Sequence, residues 1–224
     1  VTSLGGVLLP RLSNYVKNEQ SMDFYNVLKK SFAFTCIAGI SLVVYFFAFA
    51  REGLLLLAGK AYMDSVIPMR ILIGLIAITG FSSILGMQVL IPSNKENKYM
   101  IAVMCGAGVD LFLNFFLIPE FGAIGAATAT LIAEMVQFLV QVIYTRKEIK
   151  KFVDIETFNK VLLACVVALL VVMPIKYLAS LGEFMMLIVT GSIYYLTIAA
   201  FLWIIKCTFF TDLITQLTKG KIKR

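Results

Sequence analysis

Residues 99–144 read YMIAVMCGAGVDLFLNFFLIPEFGAIGAATATLIAEMVQFLVQVIY, and this stretch decides the fold. Two apolar runs, Tyr99–Ile118 and Ala123–Tyr144, flank the short polar interruption Pro119-Glu-Phe-Gly122. Crossing a hydrocarbon core as a helix takes about 20 apolar residues. Only a structure that satisfies its own backbone hydrogen bonds survives there, so each run is expected to be a transmembrane helix. Four residues suffice for a tight turn, which makes the two helices antiparallel neighbours.

The same criterion, moved outward, finds Ser31–Phe49 and Ile71–Ile91 upstream and Val161–Tyr177 and Phe184–Ile205 downstream. Pro174 and Lys176 interrupt the far end of Val161–Tyr177, although a lysine there can snorkel to the interface. Val1–Leu9 is apolar but short, lacks an initiator methionine and has no basic segment of the signal-peptide kind. It is expected to be the end of a seventh helix that begins in a preceding, N-terminal part of the same protein. The expected fold is therefore all-α: a polytopic transmembrane helix bundle of six full spans plus the end of a seventh. Residues 1–224 form one transmembrane domain, with 206–224 as a tail.

Composition agrees. Sixty per cent of the residues are apolar and 15% charged, whereas soluble domains are roughly 45–50% apolar, so a water-soluble fold is excluded. There is no histidine, which removes the commonest metal ligand and proton shuttle. Cys36, Cys105, Cys165 and Cys207 are far apart and contain no CxxC pair, so they read as free, buried thiols. No metal site and no cofactor is expected. The net charge of +7 does not point to nucleic acid, because the basic residues sit in short connectors between apolar runs, where membrane topology accounts for them.

Sorting the 20 lysines and arginines alternately along the connectors puts all but Arg51, Lys60, Arg70 and Lys176 on one side of the membrane. Positive residues collect in cytoplasmic connectors, so the C-terminus is expected in the cytoplasm and the protein in a bacterial inner membrane. Tyr99, Tyr144 and Trp203 then fall near the inner interface and Tyr45 and Tyr177 near the outer one, as aromatic belts do. Two connectors exceed what a turn needs. Arg11–Lys30 carries Leu12, Val16, Phe24, Val27 and Leu28 among polar residues and reads as a short helix on the cytoplasmic surface. Arg51–Val66, with Leu54–Leu57, reads as a second interfacial segment on the outer side.

Ionisable residues deep in a span are costly and mark function by default. Asp110 and Glu134 lie near the middle of the two central helices, about 12 Å and 16 Å from the shared turn at 1.5 Å per residue. Ala102, Gly106, Asp110 and Asn114 recur every fourth position, and Thr130, Glu134, Gln137 and Gln141 answer them on one face of the next helix. Such stripes can line a watery cavity in which a carboxylate takes a proton or a sodium ion. They can equally be packing surfaces, since small residues let helices approach and Asn, Gln and Thr hydrogen-bond between them. Asn114, Thr130 and Gln137 suit packing, whereas Asp110 and Glu134 suit a cavity. Arg70, beside Pro68 at the outer end of its helix, can meet a phosphate or simply anchor at the interface. Gln88, near the inner end of the same helix, can hydrogen-bond sugar hydroxyls.

The segments Ile91-Pro-Ser-Asn-Lys-Glu-Asn-Lys, Gly106-Ala-Gly-Val-Asp-Leu-Phe-Leu-Asn114 and Leu117-Ile-Pro-Glu-Phe-Gly-Ala-Ile-Gly-Ala-Ala-Thr-Ala-Thr-Leu-Ile-Ala-Glu134 carry a resemblance. Together with Leu8-Leu-Pro-Arg-Leu-Ser13, this set resembles the C-terminal region of bacterial polysaccharide exporters of the Wzx, or O-antigen flippase, type. The resemblance covers about Val1 to Lys151, and the last two helices match only in hydropathy and length. It implies the fold of the multidrug, oligosaccharidyl-lipid and polysaccharide exporter superfamily: two helical bundles around a cavity that opens alternately to either side. It also implies an undecaprenyl-diphosphate-linked oligosaccharide as cargo, carried from the cytoplasmic to the outer leaflet for polysaccharide or lipopolysaccharide biosynthesis, with no enzymatic step. Glu134 matches the family's pattern. Asp110 departs from it, since an asparagine or another uncharged residue is common there. The competing expectations are an ion-coupled multidrug or cation exporter of the same superfamily, which the two carboxylates suit equally, and a membrane-embedded glycosyltransferase or polymer ligase. The latter needs a large extramembrane loop with catalytic residues, and this sequence contains none. The expected partners are the lipid-linked oligosaccharide, membrane lipids, a coupling ion (H⁺ or Na⁺) and the N-terminal bundle of the same protein.

Overall fold

The computed structural model describes residues 2–178, 182–207 and 209–210 of the 224-residue chain. All but the first positions of the expected tail at 206–224 lie outside them. The described residues form helices and connecting turns, with no strand among them. They fall into two compact units, one up to Val153 and one from Asp154.

The first unit contains α1 (Thr2–Lys17), α2 (Ser21–Ala48), α3 (Ala50–Ala58), α4 (Lys60–Leu90) and α5 (Glu96–Phe152). The second contains α6 (Ile155–Leu178) and α7 (Glu183–Ile204). Among the described residues, α2, α4, α5, α6 and α7 are long and apolar enough to cross a membrane. The 57 residues of α5 are not one rod, because Gly122 sits at φ 54°, ψ −127° and breaks the helix in two. Glycine populates that positive-φ region without the Cβ clash that excludes other residues.

The stretch Arg11–Lys30 differs from expectation. No separate surface helix forms: α1 runs on to Lys17, a turn at 18–20 reverses the chain with Glu19 at φ 55°, and α2 starts at Ser21. Leu12 and Leu28 are completely buried, as is nearly all of Phe24. Three of the five apolar residues that suggested contact with lipid are thus sealed inside the protein, with Val16 and Val27 half-buried, and full burial of a large side chain is worth about 1.5–3 kcal/mol. On the other side, Ala50–Ala58 does form a short helix of its own, followed by a tighter turn over Lys60–Ser65. Both α2 and α4 widen to π-helical turns, at Cys36–Ile40 and Ile84–Leu90.

The second unit is a helix pair zipped along matching columns. Met186, Thr190, Tyr194, Ile198 and Leu202 recur every fourth residue on α7 and are buried, as are Val161, Ala164, Cys165, Ala168 and Val172 on α6. Recurrence at four is the ridge that packs into a neighbouring helix's groove. Cys165 and Tyr194 hydrogen-bond across the pair. Asp154 caps α6: Oδ1 accepts from the Glu156 and Thr157 backbone N–H groups at 3.0 and 3.3 Å, and Oδ2 accepts from the Thr157 hydroxyl at 2.6 Å. α6 continues through Pro174 to Leu178. Of the four cysteines, Cys36, Cys165 and Cys207 are buried as expected, but Cys105 is exposed, because it falls on an outward face of α5.

Candidate functional site

The two halves of α5 fold back on one another with very little between them. A Cβ placed on Gly125 would strike the Leu117 carbonyl, and one on Gly106 would lie 3.0 Å from the Gln137 Cβ and 3.1 Å from the Ala133 carbonyl. These approaches make the arms antiparallel and fix their register, with Ala102, Ala127, Ala129 and Ala133 buried along the hairpin. Small residues at helix interfaces in lipid serve this purpose, since association there depends on close packing rather than on water exclusion.

That register brings Asp110 about level with Glu134, and Asn114 about level with Thr130. All four are half-buried. The carboxylates are near enough for the Asp110 charge to act on Glu134. Asp110 Oδ1 and Asn114 Oδ1, one helical turn apart, are buried and accept no hydrogen bond. Neither carboxylate is in an ion pair among the described residues. Two carboxylates and an amide oxygen without a donor form an acceptor-rich cluster, and two bare charges at membrane depth are costly unless a proton or a small cation neutralises them.

Gln137 has a different job. Its Nε2 donates to Ser82 Oγ at 3.2 Å, and Ser82 Oγ donates to Gln141 Oε1 at 3.0 Å, so the second arm is tied to α4. Gln141 is completely buried with its Nε2 unmatched, and Gln88, 1% exposed, has an unmatched Oε1. Arg70 is half-buried, its guanidinium lies over the Phe47 ring with 5.6 Å to the centroid, and its Nε finds no acceptor. No ion pair joins Arg70 to the carboxylates among the described residues.

The structure thus gathers Asp110, Asn114, Thr130, Glu134 and Gln137 on one hairpin, while Arg70 and Gln88 lie on α4. Sequence reasoning missed Ser82, the residue that receives the hairpin's glutamine. The signal was there in Ser82-Ser83, two hydroxyls inside an apolar span, both buried in the structure.

The open end of the hairpin is closed by charge. Lys95 Nζ meets Glu148 Oε1 at 2.8 Å, and Lys98 Nζ lies over the Tyr144 ring, 5.5 Å from its centroid. Burial alone would raise the Glu148 carboxyl, but the Lys95 hydrogen bond and the charges of Lys95 and Lys151 outweigh it and hold the group below the usual carboxylate range.

The sequence matches the family described as lipid II flippase MurJ over residues 1–199. An uncharacterized membrane protein of Methanocaldococcus jannaschii, MJ1068, is 25% identical over 197 residues, which is 86% of this chain and 38% of that protein. Among solved structures, the lipid II flippase MurJ in an inward closed conformation matches with a TM-score of 0.76 at 20% identity, covering 94% of this chain and 43% of that one. The chain therefore spans about two fifths of the length of these two proteins. The fold is thus that of a polytopic helical membrane protein, and the likeness lies with lipid II flippases rather than specifically with the O-antigen flippases that the motifs of residues 91–134 resemble.

Proposed function

The chain belongs to the lipid II flippase MurJ family, and from that membership we propose that it is part of a transporter that turns a polyprenyl-diphosphate-linked glycan precursor between leaflets. The observation that carries the proposal is the family match across residues 1–199, joined to a hairpin that holds two carboxylates at membrane depth. The work required is physical rather than covalent. A sugar and diphosphate headgroup cannot enter hydrocarbon unaided, because each polar group buried without a partner costs several kcal/mol. Rocking one helical bundle against another around a midplane site supplies a polar path without any enzymatic step. This chain contributes one bundle, and the remainder of the protein contributes the other. Asp110 and Glu134, with Asn114 and Thr130, take up the coupling ion, a proton or sodium. Arg70 meets the diphosphate from the outer side, Gln88 meets sugar hydroxyls from the inner side, and Gln137 holds the hairpin to α4. The basic connectors face the cytoplasm, in a bacterial inner membrane.

The cargo follows from two likenesses that share a diphosphate head. Family membership favours lipid II, and the motifs of residues 91–134 favour the undecaprenyl-linked oligosaccharides of O-antigen or other polysaccharides. Both are tested in one assay: full-length protein in vesicles with fluorescent lipid II or fluorescent undecaprenyl-diphosphate-linked oligosaccharide, read by the label's accessibility to an external quencher. Movement of one and not the other names the cargo. No movement of either, under proton, sodium or potential gradients, sinks the flippase reading. Accelerated movement of a cationic dye instead would favour an ion-coupled multidrug exporter.

A further inference from the structure

The open end of the hairpin carries a feature that the proposed roles of Asp110, Glu134, Arg70 and Gln88 leave unexplained. A cavity of about 430 Å³ lies between Lys95 and Lys98 at the start of α5 and Tyr144, Arg146, Lys147 and Glu148 near its end. Lys95 is engaged by Glu148. Lys98, Arg146 and Lys147 are exposed and form no ion pair among the described residues. Three cations without counter-charges therefore face one cavity, with an aromatic ring in its wall. That is the chemistry of a phosphate-ester site.

Ile143 also lines this cavity, and it continues upward as a surface for hydrocarbon. Met135, Leu139, Ile143 and Lys147 recur every fourth residue and so share one face of the helix. The three apolar members are 44%, 57% and 64% exposed. From Met135 to Ile143 the helix rises about 12 Å, close to the roughly 15 Å of hydrocarbon in one leaflet of a 30 Å core. A cationic cup at one end of an uncovered apolar column matches an amphiphile whose head is anionic and whose chains run parallel to the helix.

We propose that the end of the α5 hairpin is a specific binding site for a lipid phosphate headgroup, held by Lys98, Arg146 and Lys147, with its hydrocarbon chains along Met135, Leu139 and Ile143. Under the topology proposed above the lipid sits in the cytoplasmic leaflet. The phosphate has two sources, an anionic membrane phospholipid or the diphosphate of the transported precursor. The length of the column, one leaflet, fits the chains of a diacyl phospholipid.

The test measures lipid retention and no transport, so its outcome is independent of the flippase reading. Full-length protein is purified in detergent, supplied with phosphatidylglycerol, phosphatidylcholine or undecaprenyl diphosphate, and the lipids that remain bound are weighed by native mass spectrometry. Phosphatidylglycerol is expected to be retained over phosphatidylcholine. The triple variant Lys98→Gln, Arg146→Gln, Lys147→Gln lowers that retention by at least about tenfold, given a factor of about five per basic residue at an anionic surface. Removing the same kind of charge elsewhere, with Lys29→Gln and Lys30→Gln, leaves it unchanged. Glu148→Gln, which releases Lys95 into the cavity, raises retention about fivefold, a gain that misfolding does not produce. Displacement of phosphatidylglycerol by stoichiometric undecaprenyl diphosphate upholds the phosphate site and assigns it to the cargo. Equal retention of phosphatidylglycerol and phosphatidylcholine, or equal retention by the wild type and the triple variant, overturns the proposal.

Discussion

Asp110 and Glu134 stand at similar depth on two arms that approach so closely that alanines and glycines make up much of the contact. Their cost to folding is what gives them meaning: a carboxylate that gains neither a cation nor a donor from the protein is retained at membrane depth only if something else neutralises it. If that partner is the coupling ion, the neutral isosteres remove the ion's site while keeping the shape. Asp110→Asn and Glu134→Gln are therefore expected to leave expression and the unfolding midpoint little changed, and to reduce ion stimulation of transport by roughly tenfold or more, within the usual span of coupling free energies. Quencher-accessibility kinetics with and without an ion gradient measure this, and unchanged stimulation in both variants would make the carboxylates structural. These two residues were legible in the sequence because charge inside an apolar run is visible without knowing any neighbour. Ser82 was not, because its role depends on which face of α4 meets which turn of α5, a pairing between residues 55 and 59 positions apart. The unmatched Gln88 Oε1 and the posture of Arg70 over Phe47 were equally out of reach, since helical periodicity gives a face but not what the face meets.

At the level of elements, the hairpin is fastened at both ends by different means. The turn end depends on Gly122 and on the approach of Gly125 to Leu117, and the open end depends on the Lys95–Glu148 ion pair. The sign of that pair's pH dependence follows from the direction of the Glu148 shift. A carboxyl held below its unfolded value contributes fully above that value, about 4.3, and its contribution fades as the pH falls through the lower value of the folded state. Because the Glu148 and Lys95 side chains remain 20% and 34% exposed, solvent screening limits the pair to no more than about 1 kcal/mol. The difference in unfolding midpoint between wild type and Glu148→Gln is therefore expected to be small, positive and flat above the unfolded carboxyl value, and to shrink as the pH falls below it. A difference that grows on acidification would mean that burial, not Lys95, governs the carboxyl. The hairpin itself was readable from two spans and a four-residue interruption. The misreading of Arg11–Lys30 has a physical source: an amphipathic pattern shows that a helix has an apolar face, but surface helices at a membrane and helix ends packed on protein share that pattern. Leu12 and Leu28, completely buried, show which of the two applies.

For the whole molecule, the sidedness of the membrane links the proposed ion site, the proposed lipid site and the proposed direction of transport. Fold class follows from hydropathy alone, because hydrocarbon admits helices and little else, but a helical bundle reads the same in either orientation. Only the placement of lysine and arginine breaks that symmetry, and connectors far from the membrane or long in sequence escape the rule. The connectors at issue are short, and the cations cluster where α5 begins and ends, at Lys95, Lys98, Arg146 and Lys147, opposite the Gly122 turn. If this end is cytoplasmic, a single cysteine at Gly108, Lys60 or Glu120 and one at Lys147 or Lys150 must differ in a defined way. In intact cells, with the four native cysteines replaced, a membrane-impermeant thiol reagent is expected to label Lys60→Cys and Glu120→Cys, and to reach Lys147→Cys and Lys150→Cys only after the membrane is opened. Labelling of Gly108→Cys is expected to be weak in both conditions if its exposed face on α5 meets lipid, where thiolates do not form. Labelling of Lys147→Cys from outside would invert the molecule: the phosphate site would then belong to the outer leaflet, where it would meet a delivered headgroup rather than an arriving one. The same experiment thus decides which leaflet the proposed lipid site faces and on which side of the membrane Arg70 lies, without any measurement of transport.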